Sequence, residues 1–352
     1  MKILLLINWK IKYCDEIPDG IQPSDYSCPK ETFWFFKYFN EEPQVDVVDI
    51  SAPEIIEKIE NKVRFYQTFK VLKQMNDYDL IFVHGSNSAM LLCALKRILH
   101  IKTPPILDVD ISSFHQAYTS GIIHRLSQFS SKAFDYMVYH TSSQIDYYKD
   151  QFPWLVHKSK FIHVGVDYDY WKLKSYPEIK EKDSYIVCVG YRKRDWDTLL
   201  KAYDEAKLKE KLYLIGNPDI KCENKNVVVL PFIPIDKLMT YIVNAKYSVI
   251  PLDDFNYSFG QLTILQQMAF GVPILAADVP AIRDYISCSD GIISYKPYNI
   301  DDLKEKLVKF SKFNKDDMEQ MKKKNIIAVK TLLSEKRMAL EFEKICKMLN
   351  EQ

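Results

Sequence analysis

The sequence lacks the features that mark secreted, zinc-binding or membrane-spanning proteins. Its seven cysteines are an odd number and contain no CxxC pair, which argues against a disulfide framework or a structural zinc site and favours a reducing compartment. No apolar run approaches the roughly 20 residues that span a bilayer. The opening stretch MKILLLINWKIKY has too short an apolar core for a signal peptide and no small-residue cleavage site, so it predicts a buried strand. We therefore expect a cytoplasmic protein, with peripheral contact at the inner face of the membrane left open.

An excess of charge of either sign is also missing. The net charge is +1, and the 48 basic and 47 acidic residues are interspersed, so nothing indicates a nucleic-acid partner. The basic run at residues 322–324 is typical of a solvated helix face. The chain of 352 residues, 47% hydrophobic, is long and apolar enough for two domains. Composition indicates no particular oligomeric state.

Branched apolar segments alternate with helical segments along both halves of the chain, which predicts an α/β protein with parallel sheets covered on both faces. An aromatic helix is predicted in ETFWFFKYF, and a helix that is either continuous or broken is predicted in IIEKIENKVRFYQTFKVLKQM. The pattern restarts after residues 167–183. The predicted strands are 2–8, 45–50, 79–85, 104–110, 136–142 and 160–167 in the first half, and 185–190, 211–216, 226–232, 247–252, ILAA and GIISY in the second.

This pattern predicts two Rossmann-like domains that face each other across a cleft, the default ligand site. The predicted domains are 1–168, 169–335 and a C-terminal helix, 336–352, that packs back towards the first domain. No GxGxxG follows a predicted strand, which makes a dehydrogenase a poor interpretation. A periplasmic sugar receptor is equally poor without an export signal.

The segment SFGQLTILQQMAFGVP predicts an anion site. Gly260 ends a loop and opens a helix at 261–270, where free backbone N–H groups and the helix dipole hold negative charge. An ordinary strand-to-helix turn explains Gly260 equally well. The predicted contacts of a bound nucleotide sugar here are Ser258, Phe259, Gly260, Gln261, Leu262, Thr263 and Gln266.

A second segment, VGYRKRDWDTLLKAY, places cations at the end of another predicted strand. Gly190 lies in the turn, and Arg192, Lys193 and Arg194 follow it. Fixed cations at this position suit a diphosphate, because arginine offers paired donors to phosphate oxygens. A solvated charge run is the alternative.

Together, the two segments resemble the nucleotide-sugar domain of GT-B glycosyltransferases of the retaining family 4. In that family a VGR…K…LL.A segment precedes an E.FG…LEAMA.G.PV segment. Similarity extends to FIHVGVDYDYW at the domain junction. The resemblance implies transfer of a sugar, with retention, from a UDP-, GDP- or other nucleoside-diphosphate sugar, and it implies no metal or other cofactor. The implied base contacts lie near Phe232 and Ile233.

Two glutamates of the family are replaced. Their positions are occupied by Ser258 and Gln266 in this sequence. Gln266 can still hydrogen-bond a ribose, because an amide both donates and accepts. Arg192, Arg194, Asp110 and Ser258 are the candidate catalytic residues, the arginines because they would stabilise the leaving diphosphate.

The first domain is expected to hold the acceptor, with His84 and Asp110 at the ends of two predicted strands. A hydrogen-bonded structural histidine is the alternative for His84. The pattern DVD at 108–110 matches a metal motif of another glycosyltransferase fold, but it is short enough to occur by chance. The acceptor expected is a polysaccharide or a glycolipid. The alternative function is a degenerate GT-B protein that binds a nucleotide sugar or a partner without turnover.

Overall fold

The computed structural model describes residues 1–59, 64–114, 119–172, 176–177, 184–217 and 219–351. By their contacts the residues divide into two compact units. The first unit is Met1–His163 with Asn256–Ser258 and Glu335–Gln352, and the second is Val164–Phe255 with Phe259–Ser334. The sequence pattern places the main divisions at 168/169 and 335/336.

A six-stranded parallel sheet lies at the centre of the first unit, in the order β4-β1-β5-β6-β7-β8. Its strands are β1 Lys2–Ile7, β4 Gln44–Val48, β5 Leu80–His84, β6 Ile106–Asp110, β7 Tyr136–Tyr139 and β8 Ser159–Phe161. A separate parallel pair, β2 Lys12–Tyr13 and β3 Tyr26–Ser27, follows β1. The helices of this unit are α1 Glu54–Ile59, α2 Phe65–Leu72, α3 Met90–Leu99, α4 Ile122–Ser131, α5 Ile145–Gln151, α6 Pro153–Val156 and the last helix of the chain, α14 Glu335–Asn350; shorter 3-10 helices span Trp34–Tyr38, Met75–Asp77, Ser86–Ser88 and Ser142–Gln144.

The second unit repeats this architecture with the strand order β11-β10-β9-β12-β13-β14, again parallel. Its strands are β9 Tyr185–Val189, β10 Lys211–Ile215, β11 Val227–Leu230, β12 Tyr247–Ile250, β13 Ile274–Ala277 and β14 Ile292–Tyr295. Its helices are α7 Tyr168–Lys172, α8 Trp196–Ala206, α9 Ile235–Val243, α10 Gln261–Ala269, α11 Pro280–Ile286, α12 Ile300–Lys312 and α13 Lys315–Thr331.

The central strands are buried on both faces, as continuous apolar sequence predicts for a parallel sheet. In β1, Leu4 and Leu6 enter one hydrophobic core, while Ile3 and Leu5 enter the core on the opposite face. The alternation follows from the two-residue period of a strand. The predicted fold class, α/β with two Rossmann-like sheets, is confirmed.

The final helix, α14, completes the core of the first unit. Phe342 stacks on Phe35 at a centroid distance of 5.3 Å and meets Phe82 of β5 at 5.2 Å. The buried carboxylate of Glu343 accepts hydrogen bonds from the backbone N–H groups of Asn40 and Glu41.

Several predicted elements differ in detail. The strand predicted at 160–167 is only the three residues Ser159–Phe161. The aromatic helix predicted in ETFWFFKYF is only the 3-10 helix Trp34–Tyr38. The helical segment IIEKIENKVRFYQTFKVLKQM contains two helices, α1 and α2, and residues 60–63 between them lie outside the described part of the chain.

Candidate functional site

Two loops meet at the carboxyl edge of the second sheet, where parallel α/β sheets bind their ligands. One loop follows β9 and the other follows β12, and these strands are neighbours. Arg194 and Leu252 form an isolated antiparallel bridge between the loops. The N–H of Asp195 donates to the carbonyl of Pro251 at 2.7 Å, and the N–H of Asp253 donates to that of Lys193 at 3.3 Å. The loop after β9, which belongs to one of the two segments singled out in the sequence, is thus joined by backbone contacts to the loop that leads into the other.

Gly260 lies against the same junction. It precedes α10 with a φ of +90°, in the left-handed region that favours glycine. A Cβ at this position would stand 3.0 Å from Cδ1 of Leu252. The first backbone N–H groups of a helix have no intrahelical acceptor, and the first turn of α10 carries no acidic residue. The start of α10 therefore keeps the positive partial charge that an anion requires.

The side chains at the start of α10 point in different directions. Gln261 is buried, and its amide donates to the carbonyl of Ala281 at 2.8 Å, which ties α10 to α11. Leu262 is exposed, whereas Thr263 and Gln266 are half-buried. Gln261 thus anchors the helix, and Gln266 is the half-buried amide that could meet a ligand.

Arg194 shapes the loop after β9 rather than extending from it. Its guanidinium is buried and donates to the carbonyls of Val189, Arg192 and Lys193 at 3.1–3.4 Å. Gly190 makes room for it, because a Cβ on Gly190 would stand 2.6 Å from Nε of Arg194. Most of the Arg194 donors that the sequence pattern assigned to a diphosphate are therefore spent on the backbone.

The cations that remain exposed are Arg192 and Lys193. The Cζ of Arg192 lies 6.0 Å from the ring centroid of Tyr191, and Nζ of Lys193 lies 6.0 Å from that of Phe255. Lys193 has a φ of +57°, a conformation that is uncommon outside glycine and that the bond from Arg194 supports. Both cations can therefore reach an anion at this edge.

An exposed aromatic pair lies beside these cations and was not predicted as a pair. Phe232, after β11, is 70% exposed, and Tyr191 is 42% exposed. Their ring centroids lie 5.4 Å apart with the planes at 59°. Ile233 beside them is half-buried. The sequence contains one signal for the pair, an aromatic residue directly after one predicted strand and another as the last residue of a second predicted strand.

Ser258 and Phe259 occupy different surroundings. Ser258 is buried and belongs to the short segment 256–258, which is part of the first unit. In this segment, Asn256 exchanges hydrogen bonds with Ser143. Phe259 belongs to the second unit and meets the ring of Phe255 at 5.9 Å.

Asp110, at the end of β6, is enclosed by hydrogen bonds. One carboxylate oxygen accepts from the backbone N–H groups of Ser113 and Phe114, at 2.8 and 3.2 Å. The other accepts from the amide of Gln144 at 2.8 Å and from the hydroxyl of Tyr148 at 2.6 Å. Burial raises the pKa of Asp110 to about 6, against the effect of these donors. The geometry is that of a residue that holds a turn closed, so we do not include Asp110 among the groups that act on a substrate.

His84 ends β5 and pairs in register with Val109 of β6. It is buried, and burial together with the neighbouring His140 lowers the pKa of His84 well below its ordinary value. The imidazole is therefore neutral at physiological pH and presents one donor and one acceptor.

The described residues contain neither a candidate metal site nor a candidate membrane-spanning helix. Within them, no group of three or more histidine, cysteine, aspartate or glutamate side chains could hold a metal ion. Their helices also include none that is both long and apolar enough to cross a membrane.

Structural comparison finds similar architectures over nearly the whole chain. Sucrose-phosphate synthase from Thermosynechococcus elongatus is 14% identical with a TM-score of 0.69, and the match covers 99% of each chain. Anabaena HepE in complex with UDP and glucose is 10% identical with a TM-score of 0.68 and full coverage of both chains. A UDP-forming α,α-trehalose-phosphate synthase from Burkholderia xenovorans, with glucose-6-phosphate, is 10% identical with a TM-score of 0.65, covering 99% of this chain and 100% of its own.

Sequence comparison adds a local match. No curated protein sequence matches the chain. Residues 173–312 match the model of the family described as glycosyl transferases group 1, a range that includes both loops and α10. The chain has the GT-B fold, and its second unit carries a glycosyl transferase group 1 match.

Proposed function

We propose that this protein is a glycosyltransferase whose second unit binds a nucleoside-diphosphate sugar. The observation that carries the proposal is the junction at Leu252, which brings the start of α10 together with the loop that bears Arg192 and Lys193. Two exposed cations beside a helix N-terminus form a diphosphate site. The match of residues 173–312 to the group 1 family supports the same interpretation.

The remaining parts of a nucleotide sugar have partners at the same edge. The exposed rings of Tyr191 and Phe232 offer an apolar surface on which a base can stack. The amide of Gln266 can donate to and accept from ribose hydroxyls. Arg194 acts as a positioning residue, since it holds the loop that carries Arg192 and Lys193. UDP is the first nucleotide to test, because the similar HepE structures contain UDP, UDP with glucose, or UDP-glucose.

Transfer would proceed by positioning and charge stabilisation. The bond between the anomeric carbon and the diphosphate oxygen breaks, and its electron pair leaves with the diphosphate. An acceptor hydroxyl oxygen bonds to the anomeric carbon, and its proton passes to the leaving phosphate oxygen. Arg192, Lys193 and the first N–H groups of α10 stabilise the charge that develops on the leaving group. Retention, and a polysaccharide or glycolipid acceptor at the cytoplasmic face of a membrane, follow from the family resemblance and belong to this proposal.

A second candidate is a protein that binds the nucleotide sugar without turnover. Ser258 and Gln266 replace the family's two glutamates, and neither provides a carboxylate. This candidate predicts the same nucleotide affinity as the first, and it differs in predicting no sugar transfer.

The test is calorimetric titration with UDP, GDP and ADP, followed by assays of transfer and donor hydrolysis with the corresponding nucleotide sugars. Arg192→Ala should weaken binding of the preferred nucleotide about tenfold or more, because a hydrogen bond to a charged group contributes about 1.5–3 kcal/mol. Arg125→Ala is the matched control, since Arg125 is an exposed arginine of the first unit. Equal affinities of the two variants would remove the proposed diphosphate site. Binding without transfer or hydrolysis of any donor would favour the second candidate.

A further inference from the structure

A short parallel ladder, formed by β2 and β3, closes a loop that follows β1. Its register sets Tyr13 opposite Ser27. The ladder extends one residue further, because the backbone N–H of Cys14 donates to the carbonyl of Ser27 at 3.1 Å. The next residue on each strand is a cysteine, Cys14 after Tyr13 and Cys28 after Ser27. The fold therefore brings two cysteines together at the two ends of the loop.

Positions in register on parallel strands have the spacing that a disulfide needs. Neighbouring strands lie about 4.8 Å apart, and bonded cysteines have Cα atoms about 4.4–6.8 Å apart. Side chains in register also project to the same face of a ladder, because both strands alternate with the same period. The Sγ of Cys14 lies 3.6 Å from the carbonyl oxygen of Ser27, the residue that precedes Cys28. This thiol therefore leans towards the second strand.

The two thiols are close enough to act on each other. Removal from water and, as the second cause, the neighbouring Cys28 thiol raise the pKa of Cys14. Both cysteines are free thiols, and Cys14 is half-buried whereas Cys28 is 4% exposed. A dissolved oxidant therefore reaches Cys14 first and leaves Cys28 as the second, resolving thiol. The raised pKa makes the first step slow at neutral pH, since the thiolate is the nucleophile.

The loop between β2 and β3 is held by weak interactions. The indole N–H of Trp9 donates to the carbonyl of Ser24 at 3.0 Å. An ion pair joins Lys30 to Glu16, but both side chains are exposed, and an exposed ion pair stabilises little. A two-stranded ladder is only marginally stable by itself. A covalent bond at the end of this ladder would therefore add substantially to the order of the loop.

We propose that Cys14 and Cys28 form a reversible disulfide that fastens the loop between β2 and β3 under oxidising conditions. The oxidant is a small disulfide of the class of oxidised glutathione. A single transient pair agrees with the reducing compartment expected from the sequence, because disulfides in such compartments are usually transient and redox-sensing. The inference concerns the first unit alone and does not depend on the proposed function.

Oxidation proceeds by two thiol–disulfide exchanges in which atoms and electrons balance. The Cys14 thiolate attacks one sulfur of oxidised glutathione, forms a mixed disulfide and releases one glutathione thiolate. The Cys28 thiolate then attacks Sγ of Cys14, forms the protein disulfide and releases the second glutathione. The two cysteines thus lose two electrons and two protons, and the two glutathione thiols gain them.

The test uses the full-length protein, and its main comparison needs no variant. Trypsin cleaves after lysine and arginine, so a single peptide, residues 13–30, contains both cysteines and none of the others. Native protein and urea-unfolded protein are equilibrated with the same mixtures of reduced and oxidised glutathione, at mildly alkaline pH where thiolates are more abundant. The remaining thiols are alkylated, and mass spectrometry of the peptide gives the ratio of disulfide to dithiol.

The ratio of disulfide to dithiol should be about tenfold or more higher in the native protein, because the ladder holds the thiols together whereas the unfolded chain must close the loop at an entropic cost. Cys28→Ser should stop at the mixed disulfide on Cys14. Cys222→Ser, at a half-buried cysteine of the second unit, is the matched control and should behave as wild type. An equal or lower ratio in the native protein, or a mixed disulfide that persists in native wild type, would overturn the inference.

Amide hydrogen exchange tests whether the bond fastens the loop. Residues 15–25 should exchange about threefold or more slowly once the disulfide has formed, whereas residues 252–260 should be unaffected. Unchanged exchange in residues 15–25 would show that the bond forms without ordering the loop, and the proposed switch would be wrong. Neither result bears on the proposed function, which UDP binding tests.

Discussion

At the scale of single residues, glycine and arginine together determine the shape of the loop after β9. Gly190 has a φ of +141°, and the guanidinium of Arg194 occupies the space where a Cβ would project. The arginine then bonds three carbonyls that face it. Neither residue alone explains the conformation of the loop. The hydrogen bonds of Arg194 require its guanidinium to lie close to the backbone at position 190, and only glycine permits this close approach.

Replacement of Gly190 by alanine tests this pairing, with Gly121→Ala as the matched control. Gly121 has a φ of +93°, and a Cβ added to it would meet no atom of the described residues within 4 Å, so we expect alanine there to add only backbone strain of about 1–3 kcal/mol. Gly190→Ala should cost about 2 kcal/mol more, because the guanidinium must move and its bonds to the backbone weaken. Urea unfolding of both variants and UDP affinity provide the measurements. Equal losses of stability would show that Arg194 is not packed against Gly190.

A second residue-scale prediction concerns pH. His140 is buried, its Nδ1 lies 2.6 Å from the carbonyl of Ile162, and burial lowers its pKa from 6.5 to about 4. As the pH falls, the unfolded chain takes up this proton before the native state does. The contribution of the buried, neutral His140 to the free energy of unfolding is therefore complete above pH 6.5 and is lost as the pH falls towards 4.

The comparison of wild type with His140→Gln tests this effect, together with the smaller influence of His140 on the pKa of His84. The stability advantage of wild type should shrink by about 2–3 kcal/mol between about pH 7.5 and about pH 4.5. Asp110, with a pKa of about 6, titrates in the opposite direction, but it does so in both proteins and cancels in the difference. His157→Gln, at an exposed histidine, is the control. A difference in unfolding free energy that does not change with pH would contradict the assignment.

At the scale of elements, tertiary packing replaced a predicted aromatic helix with a short 3-10 helix, Trp34–Tyr38. The segment ETFWFFKYF is rich in aromatic rings, and these rings meet two neighbours, β5 and α14. In the short 3-10 turn that forms instead, Phe35 and Phe36 are both buried. The spacing of apolar residues within the segment does not show that both β5 and α14 pack against it.

The end of β6 gives a second example. The sequence places Asp110 at a strand end, where ligands bind in α/β sheets. Its hydrogen-bond partners are the next turn, at Ser113 and Phe114, and the start of α5, at Gln144 and Tyr148. The partners at α5 are more than 30 residues away, so no local pattern could distinguish a turn-closing carboxylate from a substrate-binding one.

At the scale of the whole molecule, the first unit is discontinuous in sequence. Along the sequence, α14 is separated from the rest of the unit by the whole second sheet. The core of the first unit nevertheless includes six side chains of α14: Met338, Ala339, Phe342, Ile345, Cys346 and Leu349. Full burial of a large apolar side chain contributes about 1.5–3 kcal/mol. The sum is comparable to the total stability of a domain, about 5–15 kcal/mol.

Fragments test this dependence. Residues 164–334 contain the whole second sheet and its core, so we expect this fragment to fold and to bind UDP. Residues 1–163 should not fold cooperatively alone, and addition of a peptide of residues 335–352 should restore a cooperative thermal transition. Circular dichroism melting measures both. A cooperative transition for residues 1–163 without the peptide would show that α14 is dispensable.

The sequence by itself determined the alternation of strands and helices, the two parallel sheets, and the positions of Gly190 at a strand end and of Gly260 at a helix start, because apolar periodicity and turn chemistry are local properties. The tertiary structure alone decided that Arg194 bonds the backbone, that Asp110 is enclosed and that Tyr191 meets Phe232. These outcomes depend on partners brought together by strand order, which is a property of the packed sheet and not of any single segment.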